Sequence, residues 1–346
     1  MKRIKIVQIG LGHDHAEWVL KSLIKQSELF DIVGIALPEE EAGFEKTADR
    51  YSGIKRMTVR EALSLPDLDA AAIETQDERL TEYALLAARR GLSVHMDKAG
   101  GFEHSAYKSL IKTVKENKTV FHTGYMYRYN PAVQELFRLI RRGGLGEIYS
   151  VEAHMNCLHP DEKRRWLGKF PAGMMYFLGC HLVDLILRLQ GIPEEIIPLS
   201  TSTGIGGVDT YDCGMAAFKY KNGVSFAKAC AAEAGGFYRR QLVVCGSKGT
   251  VELRPLEGFV NAQGSLVYTG ICSVDAEEAA EKGWQDTRKF SNTMPFERYD
   301  LMLESFAKMV RGEEENPYAY DYEEQLHRVL LAACGENIDY KKKTEW

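Results

Sequence analysis

Ile4-Lys5-Ile6-Val7-Gln8-Ile9-Gly10-Leu11-Gly12 is the stretch whose reading decides the fold. Ile4 to Ile9 reads as a buried strand. Gly10 and Gly12 fill the first two positions of G-x-G-x-x-G, a turn that lets backbone N–H groups approach a pyrophosphate at a helix N-terminus. Ala16, Val19, Leu20, Leu23 and Ile24 then recur at the 3.6 period of a helix packed on a sheet. The third glycine position holds His15, so its imidazole must either splay the helix or point outward.

Outward from this turn, strand and helix alternate. Ile32 to Leu37 reads as a second strand, Ala70 to Glu74 as a third, Ser93 to Met96 as a fourth and Thr119 to His122 as a fifth. Helices are expected over Arg79 to Arg90, closed by Gly91, and over His104 to Asn117. This alternation predicts a parallel, doubly wound α/β sheet. The acidic residue that would close the second strand and hold an adenosine ribose is replaced by Leu37. Glu39, Glu40 and Glu41 follow one turn later. A lost charged hydrogen bond costs about 1.5–3 kcal/mol, which weakens nucleotide binding without forbidding it. No arginine follows to favour a 2′-phosphate, so NAD and NADP both stay open.

Beyond residue 122 the pattern changes. Asn130-Pro131 supplies an N-cap and first-turn pair for a helix striped by Val133, Leu136, Phe137 and Ile140. Ile148 to Cys157 reads as a long strand and Leu182 to Leu189 as a helix. Strands follow at Cys213 to Tyr220, Val224 to Ala231, Gln241 to Cys245 and Thr250 to Arg254, the first two joined by an Asn222-Gly223 hairpin turn. Residues 276 to 295 read as a surface loop. Helices at Phe296 to Val310 and Asp321 to Ile338 complete the pattern. An antiparallel or mixed sheet with helices on one side fits this half.

Composition sets the outer limits. The 346 residues suffice for two domains, and apolar and charged contents of 45% and 27% are those of a globular protein. A formal net charge of −5 gives no basic face for a nucleic acid. No apolar run approaches the roughly 20 residues that span a bilayer. The start of the chain reads as a first strand, not a signal peptide. Seven cysteines in no C-x-x-C spacing read as free thiols in a reducing cytoplasm.

The second informative stretch is Asp97-Lys98-Ala99, which puts a lysine at the carboxyl end of the fourth strand, where open α/β sheets bind their ligands. From there the chain resembles the glucose–fructose oxidoreductase, inositol dehydrogenase and rhizopine-catabolism (Gfo/Idh/MocA) family. The matching stretches are Ile9-Gly10-Leu11-Gly12, Asp69 to Thr75, Asp97-Lys98-Ala99 and Gly124 to Pro131. They continue through Gly143 to Ile148, Gly179 to Asp184 and Gly246 to Val251. The resemblance implies a Rossmann dinucleotide-binding domain over residues 1–122. A substrate-binding and oligomerisation α+β domain with a large, open, mostly antiparallel sheet follows over 123–346. It implies a cytoplasmic NAD- or NADP-dependent oxidoreductase of a sugar, cyclitol or related polyol, assembled as a dimer or tetramer through that sheet.

Carried over by position, Lys98 and His181 are the catalytic pair: His181 takes the hydroxyl proton as hydride leaves, and Lys98 steadies the alkoxide. Gly10, Gly12, His13, His15, Thr75, Gln76, Asp97, Lys98 and Arg128 are the expected cofactor-binding residues. Tyr127, Tyr176 and Asp184 are expected near the substrate. The departures are Leu37, His15, Gln76 and Ala99 at family positions, and Phe177 where an aspartate would orient His181. Asp184, one turn further along, is the expected substitute partner for that histidine.

Two other readings compete. His13-Asp14-His15 resembles the opening of metal-dependent amidohydrolase barrels, but the hairpin-rich second half denies the eight strand–helix units a barrel needs. His154, Cys157, His159, Asp161 and His181 have no diagnostic spacing, so no metal is expected. The serious rival is a dehydrogenase-like protein that has lost hydride transfer and serves as a ligand-binding or regulatory protein.

Overall fold

The computed structural model describes residues 2–262 and 264–342. It divides into two compact units, one holding the chain up to Met126 plus Tyr299–His327, the other Tyr127–Arg298 plus Arg328–Lys342. The expected single boundary at 122/123 thus falls four residues later. Of the described C-terminal residues, Tyr299–His327 belong to the first unit and Arg328–Lys342 to the second. An amphipathic pattern says that a helix buries one face, not which core receives it.

The first unit carries a six-stranded sheet of β1 (Ile4–Ile9), β2 (Phe30–Leu37), β3 (Arg56–Thr58), β4 (Ala70–Ile73), β5 (Ser93–Met96) and β6 (Phe121–Thr123). Its order is β3-β2-β1-β4-β5-β6, and all its pairings are parallel. This is the Rossmann order, with the direction of winding reversing between β1 and β4. β1 and β4 are apolar and buried, as strands covered on both faces must be. On one side Leu80, Ala84, Ala87, Leu110, Ile111 and Val114 pack on Val7, Ala71 and Val94. A separate cluster of Leu11, Ala16, Leu20, Ile35 and Ala48 forms elsewhere on the unit. The helix Asp300–Val310 is pinned to the helix Ala16–Lys25 by Ser22 Oγ and Lys25 Nζ, 2.5 and 2.6 Å from the two Asp300 carboxylate oxygens. β3, an edge strand of three residues with only Met57 buried, escaped the sequence reading because it is too short to show a period.

The second unit is built on an eight-stranded sheet. Its strands are β7 (Ile148–His154), β8 (Glu195–Pro198), β9 (Cys213–Tyr220), β10 (Gly223–Cys230), β11 (Gln241–Gly246) and β12 (Gly249–Leu253), with two more below. Between them run β13 (Gly258–Phe259) and β14 (Leu266–Tyr268), then β15 (Gly270–Asp275), β16 (Lys289–Asn292) and β17 (Phe296–Glu297). The large sheet runs β16-β15-β12-β11-β7-β10-β9-β8, while β13, β14 and β17 form a small one. All pairings in the large sheet are antiparallel except β7 with β10. Val151, Ala153, Ala227 and Ala229 are buried on one face and alternate with half-exposed Glu152, His154, Phe226 and Lys228. One side of the sheet therefore packs on the core and the other stays open.

Two local expectations are corrected. Gly223 pairs with Tyr220, so the hairpin loop is Lys221-Asn222 and Gly223 already belongs to β10. A Cβ at Gly223 would stand 1.9 Å from the Tyr149 carbonyl oxygen, which is why only glycine fits there. Residues 276–295 are not a loop: they hold a helix, Ala276–Lys282, capped by Asp275, and the edge strand β16. Asn130 does cap its helix, its Oδ1 accepting the Ala132 N–H at 2.9 Å with Pro131 in the first turn. All seven cysteines are free thiols. No helix among the described residues is long and apolar enough to cross a membrane.

Candidate functional site

β1 delivers the glycine turn to the carboxyl edge of the sheet, beside the residues that follow β4. Gly10 has φ +91°, and a Cβ there would lie 2.6 Å from the Thr75 nitrogen. Only glycine lets the two segments meet. The amides of this turn are engaged by an anion from the chain itself. Glu41, on the short helical segment Glu39–Phe44 after β2, accepts at one oxygen the N–H groups of Leu11 (2.7 Å) and Gly12 (3.0 Å). Its other oxygen accepts the Gln76 N–H at 2.8 Å. Glu41 is buried, and burial raises its pKa although the three amides pull the other way. The sequence showed three consecutive glutamates and gave no sign of which one reaches back.

Next to the turn lies a buried polar cluster. His13 Nδ1 is 3.1 Å from Asp97 Oδ2, and its Nε2 is 3.4 Å from Asp77 Oδ1. His15 Nδ1 stands 3.2 Å from both Asp97 oxygens. Its ring turns toward Asp97 and meets Tyr299 edge-on, so the helix starts at Ala16 without being splayed. The Lys98 backbone N–H donates to Asp97 Oδ1 at 2.7 Å, and the Lys98 side chain is buried just beyond the end of β5.

Electrostatics divide these groups. Burial disfavours the His13 charge, but Asp97 and Asp77 overcome it and hold the imidazole up to about 9. Burial lowers His15, helped by the charges of His13 and Lys98. Asp97 is held well below the usual range because His13 and His15 outweigh its burial. Glu74 is pushed well up by burial and by the Asp97 charge. His95, whose Nδ1 lies 2.8 Å from His122 Nδ1, is driven down to about 4 by burial. Asp77, Glu74 and His95 were not given a role from sequence, and His122 only in the rejected barrel reading. Their chemistry arises from β-strand ends that only the folded sheet places together.

The remaining expected residues lie in the second unit. Arg128 gives both ends of its guanidinium to Asp184, Nε to Oδ2 at 2.9 Å and Nη2 to Oδ1 at 2.8 Å. Asp184, expected beside His181, has each of its oxygens bound by Arg128. Tyr127 donates its hydroxyl to Glu257 at 2.6 Å, and its ring meets the His181 ring edge-on at 5.0 Å. Arg298 and Arg240 bind the same Glu257. Phe177 and Tyr176 sit in aromatic packing with Phe170, and Phe177 also meets Trp166. The group His154, Cys157, His159, Asp161 and His181 does not come together. Among the described residues, the one set of histidines and acids close enough to share an ion is His13, His15 and Asp97.

A sequence model described as the GFO/IDH/MocA C-terminal domain matches residues 133–252. Over those residues the chain is similar to the Gfo/Idh/MocA family. Its relatives include an uncharacterised oxidoreductase, YhhX, of Escherichia coli, 26% identical over 54% of each chain. Another is 1,5-anhydro-D-fructose reductase of Ensifer adhaerens, 22% identical over 62% of this chain and 66% of that one. Inositol 2-dehydrogenase 2 of Saccharopolyspora erythraea is 23% identical over 55% of each. The chain thus spans between about half and two thirds of the length of these curated relatives. Among solved structures, levoglucosan dehydrogenase in complex with NADH and levoglucosan superposes with a TM-score of 0.76 at 16% identity, over 96% of this chain and 98% of that one. A candidate NADPH-dependent oxidoreductase of Desulfitobacterium hafniense gives 0.79 at 18% identity, over 97% and 95%. At such identities the likeness is one of fold, and it extends nearly end to end.

Proposed function

We propose that this protein is an NAD(P)-dependent oxidoreductase acting on a CH–OH group of a sugar, cyclitol or related polyol. The observation that carries the reading is the convergence of the Leu11 and Gly12 N–H groups on a single anionic oxygen, in the same unit as the buried Lys98. Paired amides at a helix N-terminus bind phosphate as readily as carboxylate, so the donor set fits a dinucleotide pyrophosphate once Glu41 withdraws. The Leu11, Gly12 and Gln76 amides would hold the diphosphate, with Gly10, whose own N–H is taken by the Ala36 carbonyl, allowing the turn. When bound, the nicotinamide supplies the hydride acceptor.

The family resemblance assigns the two remaining roles. Lys98 steadies the negative charge that grows on the carbinol oxygen, a task for a preorganised cation in a water-poor site. His181 accepts the hydroxyl proton. Sugars and cyclitols are favoured as substrates because relatives of this chain are named for an anhydrofructose and for inositols. A homo-oligomer, dimer or tetramer, through the open face of the large sheet and a cytoplasmic location belong to the same reading; sedimentation of the purified protein tests the first.

The rival, a binding protein without hydride transfer, draws on one observation: Glu41 occupies the amides that a diphosphate needs. Titrating the protein with NAD and NADP in both redox states, then assaying a panel of sugars and cyclitols, separates the two. Micromolar binding with turnover supports the oxidoreductase. Absence of any nicotinamide affinity, in the native chain and in Glu41→Ala alike, supports the rival.

A further inference from the structure

We propose that His13, His15 and Asp97 form a binding site for a divalent transition-metal ion, with Asp77 as the carboxylate behind His13. The three residues come from two segments 82 positions apart, the turn after β1 and the end of β5. Their ligating atoms lie within 4.8 Å of one another.

The two separations to Asp97 suit an ion. Ligands held about 2.1 Å from a metal stand roughly 3.0–3.4 Å apart at octahedral or tetrahedral angles. Asp97 Oδ2 is 3.1 Å from His13 Nδ1 and 3.2 Å from His15 Nδ1. Asp97 Oδ1 is already held by the Lys98 N–H at 2.7 Å, which leaves Oδ2 as the coordinating oxygen.

A second, independent feature points the same way. Metal-bound histidines characteristically donate their far ring nitrogen to a carboxylate, which fixes the tautomer and orients the ring. Asp77 stands in that place, 3.4 Å from His13 Nε2, and both side chains are almost wholly buried. His13 Nδ1 accepts the His15 backbone N–H at 3.2 Å, so its lone pair faces the side where His15 and Asp97 lie, and an ion there displaces that hydrogen bond.

Charge agrees. Asp97 and Asp77 contribute two negative charges, and the ammonium of Lys98 lies close enough to act on both His15 and Asp77. The helix that starts at Ala16 adds about half a positive charge at its N-terminus. With neutral imidazoles the pocket remains net negative, so a divalent cation is stabilised there. Two imidazoles and one carboxylate form the ligand class of Fe(II), Mn(II) and catalytic Zn(II) sites and leave coordination positions open for a hydroxyl or carbonyl oxygen.

The site is independent of the nicotinamide reading and is scored with no nucleotide present. Chelator-treated full-length protein is titrated with Co2+ and Zn2+, followed by equilibrium dialysis and, for cobalt, visible absorption. We expect one ion per chain and a cobalt ligand-field spectrum. His15→Ala and Asp97→Asn should each weaken binding more than tenfold, and Asp77→Asn about 10–100-fold, the range for groups behind a ligand. Asp14→Asn, exposed beside the cluster, should bind as the native chain does. Circular dichroism checks that each variant is folded, and the native cobalt spectrum decides the matter even where one is not. No stoichiometric cobalt or zinc in the native protein, or native affinity in both His15→Ala and Asp97→Asn, overturns the site.

Discussion

Glu41 Oε2 lies 2.7 Å from the Leu11 amide nitrogen, so a carboxylate of the chain itself fills the position that a cofactor phosphate would take on the glycine turn. The two anions compete for the same donors. Hydrogen bonds to a charged group are worth about 1.5–3 kcal/mol each, and a dinucleotide must displace them. Glu41→Ala should therefore bind NAD or NADP roughly 10–100-fold more tightly, read by calorimetry. Unchanged or weaker binding would mean that Glu41 does not compete with the cofactor.

Lys98 is buried just beyond the carboxyl end of β5, and the proposed function gives it the charge on the carbinol oxygen. Lys98→Ala should lower turnover at least about a hundredfold, the lower range of acid–base and electrostatic contributions, while nicotinamide affinity changes much less. Steady-state kinetics beside a binding titration tests this split. A native turnover number would remove Lys98 from the chemistry.

Arg128 and Asp184 form a bidentate pair whose side chains are 1% and 2% exposed. Removing one partner of such a pair leaves a buried charge and costs about 3–5 kcal/mol. Asp184→Ala should lose stability on that scale in urea unfolding. A loss below about 1 kcal/mol, the range of exposed pairs, would contradict the structural role assigned here.

Glu257 gathers Tyr127, Arg240 and Arg298 in the second unit. Burial opposes its charge, but Arg298 and Arg240 prevail and hold its pKa below the ordinary 4.5. A carboxyl depressed in the folded state adds stability above its unfolded pKa and loses it as pH falls through the folded value. The native protein should therefore exceed Glu257→Gln in stability at neutral pH, and the gap should close as pH drops below the ordinary carboxylate range. Unfolding curves for both proteins across acidic pH provide the test; a gap that widens on acidification would reverse the sign.

Much of the architecture was legible because buried strands and helix stripes are local patterns. β1, its glycine turn, the Asn130 cap and the strand Cys213–Tyr220 follow from side chains a few residues apart. What escaped depends on partners far along the chain. Glu41 acquires its role from amides 30 residues earlier and 35 later, and Asp184 from an arginine 56 residues away. Phe177, read as a missing aspartate, turns out to fill an aromatic cluster with Trp166 and Phe170, a packing that no spacing announces. The helix Ala276–Lys282 was hidden by its charge, since none of its residues is buried and it shows no apolar stripe.

The central claim is that the amides after β1 are a phosphate site. The most direct measurement is amide nuclear magnetic resonance of the isotope-labelled protein during titration with NAD and NADP. Large, saturable shifts at Leu11, Gly12 and Gln76, as Glu41 gives way, are the predicted result. Those three resonances staying fixed at saturating dinucleotide would contradict it.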